Sequence, residues 1–85
     1  MPVSSTTALE RIARVIAGQR LSANAEGVDP SAASAVDMEW EDHIDDARAI
    51  LRTLREPDPE MAAVGDLEVW ERMIAAAANA EFASL

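Results

Sequence analysis

Trp40, Ile44, Ala47, Leu51 and Leu54 sit at offsets 0, 4, 7, 11 and 14, a spacing that only a helix turns into one surface. At about 100° per residue the five positions share an arc of about 80°. That stripe is narrow, of the kind that packs against one or two other helices over two heptads. It predicts a helix over 35–55. Ser34-Ala35-Val36-Asp37 reads as its capping box. Its charges are ordered along the axis. Asp37, Glu39, Glu41, Asp42, Asp45 and Asp46 occupy the first half, and Arg48, Arg52 and Arg55 the second. Acids near the N-terminus and bases near the C-terminus both complement the helix dipole, by ~0.3–1 kcal/mol at each end.

Glycine and proline divide the rest of the chain at Gly27 to Pro30, Pro57 to Pro59, and Gly65. Upstream, Thr7-Ala8-Leu9-Glu10 is a second capping box, and Leu9, Ile12, Ala13 and Ile16 recur at helical spacing. A helix over 8–21 is expected, with Glu10 and Arg14 paired at i,i+4. Residues 22–34 read as a connection, in which Asp29-Pro30 could start a short turn. Downstream, Pro57 stops the second helix. Asp58 then caps a short helix over 59–64 with Pro59 in its first position, and Gly65 is the candidate residue beyond its end. Asp66 caps a last helix over 67–82. Leu67, Trp70, Ile74 and Ala77 form its apolar face, with Met73 beside them, and Glu68 pairs with Arg72. The expected fold is all-α: one domain over 1–85, a bundle of three main helices with one extra short helical turn.

Eighty-five residues lie just above the size at which one core holds a fold without staples. No cysteine is present, so disulfides and thiolate metal sites are excluded. Of the residues counted in the 49% hydrophobic figure, 18 are alanines, which favour helix but bury little area. Large apolar side chains must be used economically or shared, and dimerisation is one way to complete the core. No apolar run approaches the ~20 residues needed to cross a bilayer, and Met1-Pro2-Val3-Ser4-Ser5 does not resemble a signal peptide. A cytoplasmic protein is expected.

The net charge is −9 and unevenly placed. Three acids balance three arginines over residues 1–35, whereas residues 57–85 carry six acids and one arginine. Such a chain is repelled by nucleic acid and by anionic membranes, which need a basic surface. All basic residues are arginines, which together with the alanine content points to a GC-rich bacterial genome.

The cluster closest to chemistry is Glu39, Asp42, His43 and Asp46, whose oxygen and nitrogen donors could face a divalent ion. Its spacing is wrong for the Glu-x-x-His of di-metal bundles, because position 40 is Trp and no second histidine exists. A solvated acidic face is the expectation, with no metal and no cofactor. No nucleophile elbow, phosphate-cradling loop or catalytic Ser–His pairing is visible, so no enzyme activity is expected. Arg48, Arg52 and Arg55 share their side with Glu41 and Asp45, which favours ion pairing within the helix over a DNA-recognition face. Trp40, Ile44, Leu51, Leu54, Trp70 and Ile74 are the interface candidates. Core packing or self-association is their simpler account, and a partner site the alternative.

The stretch Ala47 to Met61, with its Leu54-Arg55-Glu56-Pro57 helix end, and the phrase Trp70-Glu71-Arg72-Met73-Ile74 resemble short proteins of alphaproteobacteria and their prophages. The resemblance covers roughly residues 40–80 and implies kinship without an activity. Two functions are therefore carried forward. One is a non-enzymatic helical module that binds itself, as a homodimer, or a protein partner. The other is an acidic, phage-type inhibitor of a basic nucleic-acid-processing protein.

Overall fold

The computed structural model describes residues 3–24 and 32–80, and everything described is helix, turn or short connection. Among the described residues five α-helices follow in order: α1 (Ala8–Asn24), α2 (Ala32–Glu39), α3 (Ile44–Leu54), α4 (Pro59–Val64) and α5 (Leu67–Ala78). A 3-10 turn over Trp40–His43 joins α2 to α3. α1, α2, α3 and α5 pack together as a small all-α bundle, with α1 against α2, the 3-10 turn and α3, and α3 against α5. None of these helices is long and apolar enough to cross a membrane.

α1 starts where its cap predicts. The Thr7 hydroxyl accepts the Glu10 amide at 3.1 Å. The other half of the box gives way, because the Glu10 carboxylate accepts from Arg14 Nε at 2.8 Å. The helix runs to Asn24, three residues past the expected end, since nothing between Leu21 and Asn24 breaks it. Its buried line is Leu9, Ala13 and Ala17, while Ile12 and Ile16 are only partly covered. Among the described residues, four of the seven buried ones are alanines: Ala13, Ala17, Ala47 and Ala78. Small side chains at these crossings let helix backbones approach closely, and Trp40, Leu9 and Leu51 supply most of the buried bulk.

The single helix expected over 35–55 is divided. It begins earlier, at Ala32, which leaves Ser34 inside α2 instead of capping it. It breaks at Trp40–His43, where Glu39 and His43 have φ of −111° and −109°. The length of α1 explains the break. A straight helix over 32–54 would reach roughly 34 Å, against roughly 25 Å for α1. Bending at Trp40 brings both halves back onto α1 and drives the indole into the core, where it is 8% exposed. Arg14 closes the same corner from α1. Its Nη1 lies 2.6 Å from Asp37 of α2, and its guanidinium sits 5.2 Å from the Trp40 ring centroid. Its hydrogen bonds to Asp37 first and Glu10 second raise the Arg14 pKa above its ordinary value. A raised cation pKa contributes stability that is present below the ordinary value and lost only as pH rises through the raised one, so Arg14 stays charged in this contact across neutral pH.

α3 and α5 run antiparallel, and each caps the other's C-terminus. Trp70 Nε1, near the start of α5, donates to the Leu54 carbonyl at the end of α3 at 2.7 Å. Arg48, near the start of α3, donates to the Ala78 carbonyl at the end of α5, and more weakly to Ala80. Helix C-termini leave carbonyls without intrahelical partners, and a guanidinium also favours the negative end of the dipole. Arg48 therefore serves α5 and not the acids of its own helix. This capture accompanies the end of α5 at Ala78, four residues short of the expected limit; residues 81–82 lie outside those described.

Three smaller expectations also change. Gly65 is extended, with φ −153° and ψ 179°, so α4 ends without a left-handed cap. Arg72 Nε reaches the Glu68 carbonyl at 3.4 Å and not its carboxylate. Leu54, the last member of the stripe, is 43% exposed because it lies in the final turn of α3, past the packed layer. Asp29 and Pro30 lie outside the described residues.

Candidate functional site

Two successive caps build the corner between α3 and α5. Asp58 accepts the Met61 amide at 2.9 Å and starts α4 with Pro59 in its first turn. Asp66 accepts the Val69 amide at 3.1 Å and starts α5. Only Gly65 and Asp66 separate the two helices, so α4 is held at the start of α5 by local chemistry. It has no buried residue and packs broadly against none of the other helices. Met61 and Val64, at i,i+3, form its apolar side. Leu67, Val69, Trp70 and Met73 face them from α5, with Pro57 at the margin.

These side chains line an open groove of about 370 Å³ whose surface is almost wholly apolar. Val64 is 88% exposed and Met73 63% exposed. Trp70 is the fixed point, since its indole N–H is held by Leu54 while the residue lines the groove. A groove of this size accepts a few apolar side chains. Methionines in its wall can adjust to different shapes. The surrounding segment is acidic: Glu56, Asp58, Glu60, Asp66, Glu68 and Glu71 are exposed and Arg72 is its one cation. None of these six carboxylates belongs to an ion pair among the described residues; the pairs found there are Arg14 with Glu10, Arg14 with Asp37, and His43 with Asp46.

The metal candidates do not assemble. Among the described residues no group of three or more His, Cys, Asp or Glu side chains is placed to hold an ion. His43 Nδ1 lies 3.8 Å from Asp46 Oδ2, a pair that is ionic only when the imidazole is protonated. The 3-10 turn runs through Trp40–His43, so the helical projection that grouped Glu39 with Asp42 and His43 does not hold there.

The interface candidates divide. Trp40 and Leu51 are buried, and Ile44 and Ile74 pack against the core from its edge. Leu54 and Trp70 stay partly exposed, and of these Trp70 lines the groove. Met61, Val64 and Val69 were not among the candidates. For Met61 and Val64 the sequence carries a signal, i,i+3 spacing in a helix too short to bury a face; for Val69 it carries none. A second, more open apolar surface runs over Ile12, Val15, Ile16 and Ile50, with Arg11 beside it.

Comparison with protein-family models, with curated proteins and with solved structures finds no match to this chain.

Proposed function

We propose that the chain is a non-enzymatic, cytoplasmic interaction module that receives a segment of another protein in the groove between α4 and α5. The groove itself carries this reading. In a chain so poor in large apolar residues, Met61, Val64, Leu67, Val69, Trp70 and Met73 are kept together at one end and left open. A clustered apolar surface of that kind costs solubility and is the usual mark of a binding site. The bundle of α1, α2, α3 and α5 supplies the scaffold. Self-association is the competing use of the same groove, and a purely electrostatic inhibitor with the exposed carboxylates as its contact surface is a second reading.

A photo-reactive side chain at Val64, compared with one at the exposed Met38 on α2, tests the proposal in the producing cell. Adducts with a discrete second protein are expected from Val64 and not from Met38, and they should vanish when Met73 is also changed to Ser. Equal labelling from both positions, or none from Val64, sinks the proposal. Adducts of twice the chain mass would identify a second copy as the occupant.

A further inference from the structure

Resting on that reading, we infer that the occupant of the groove is a basic amphipathic helix from another protein, its apolar side chains in the groove and its lysines or arginines drawn by the exposed carboxylates of the segment that forms it.

Shape and charge carry the inference together. The walls come from two short helices that meet at Gly65-Asp66, so the groove is open along its length and suits a helix presenting anchors at i, i+3 or i+4, and i+7. The segment 56–73 that forms it carries six exposed carboxylates and one exposed arginine, and of the six Asp66 lines the groove itself. Asp58 and Asp66 accept backbone amides as caps, which keeps their charge in place at the two helix starts. None of the six is neutralised by an ion pair among the described residues. A segment of that charge attracts cationic partners and speeds their encounter, and it repels acidic ones. It also opposes a second copy. A twofold contact through the groove would set one acidic segment against the other in a chain of net charge −9. Anionic membranes are excluded by the same sign.

The experiment uses the full chain and three synthetic amphipathic helices of about 18 residues, or five turns. All three share one leucine face; the opposite face carries lysine, glutamine or glutamate. Binding is read by anisotropy of the labelled peptide at ionic strengths of about 0.05 M and about 0.5 M, where screening differs strongly. The lysine helix should bind at least about tenfold more tightly than the glutamine helix at low salt, and this margin should shrink at high salt. The glutamate helix should not bind. The double variant Val64→Ser, Met73→Ser changes two exposed side chains, so it should melt like the parent while losing the lysine helix. The triple variant Glu60→Gln, Glu68→Gln, Glu71→Gln should lose only the charge preference.

Equal binding of the lysine and glutamine helices overturns the inference yet leaves the groove as a binding site. Lysine-helix binding that survives the serine variant overturns both and favours the electrostatic reading. Failure of every helix to bind also overturns both. A rise in mass with concentration on a sizing column, removed by the serine variant, would replace the basic helix with a second copy.

Discussion

The two ends of this molecule use apolar side chains in opposite ways. Where α1 crosses the 3-10 turn and α3, the buried positions are mostly alanines, with Trp40 and two leucines filling what remains. Where α4 meets α5, the side chains are large and lie in the open. Ala13, Ala17 and Ala47 are fully buried while Val64 and Met73 face solvent. Burial does not follow size here: Trp40 and two leucines go inside, yet the other buried positions among the described residues are alanines. Small residues inside let the helices close at short range and hold the scaffold. Large residues outside leave a surface with energy still to be gained by covering it.

The contrast breaks first at Leu51, which is 2% exposed. Leu51→Ala is expected to destabilise the fold by ~2–5 kcal/mol, because it opens a cavity among side chains already small. Urea unfolding followed by circular dichroism measures this, and the serine changes at the groove should stay within ~0.5 kcal/mol in the same assay. Comparable losses at both ends would mean that the groove belongs to the core. A sharper probe is Ala47→Leu. If close helix approach depends on the missing side chain, the added bulk should cost ~1–3 kcal/mol, and a neutral result would show the crossing to be loose. The smallest effect should be a gain. Gly18 lies inside α1, where a Cβ would meet Val36 Cγ2 at 3.8 Å, an ordinary contact. Gly18→Ala should therefore raise the thermal midpoint, by ~0.5–1 kcal/mol of stability.

The helix starts were legible because their causes span four residues. Thr7, Asp58 and Asp66 each accept the amide three positions ahead, as their identity predicts. The stripe from Trp40 to Leu54 was legible as helix but not as two helices. Nothing local to residues 40–43 announces a bend; the reason lies in α1, which is too short for a straight partner. Arg48 shows the same limit. An arginine with acids at helical spacing reads as an intrahelical pair, yet Arg48 donates to the carbonyl end of α5, thirty positions away. The candidate site was half visible. Trp70 drew notice as a tryptophan, whereas Met61 and Val64 looked like parts of a short connecting turn.

Periodicity, caps and the lack of cysteine were enough to make this chain all-helical and to place most helix starts. They were enough, too, to set its acidic charge, since these properties depend on neighbours within a turn or on composition. Folding in three dimensions chose which apolar face is buried and where the long helix bends. It also settled which side chains close the ends of α3 and α5, and that α4 and α5 hold a groove open. Apart from the groove, whose two helices adjoin in the chain, each of those outcomes is a competition between distant partners, and the winner depends on helix length, side-chain volume and reach, which no window of sequence contains.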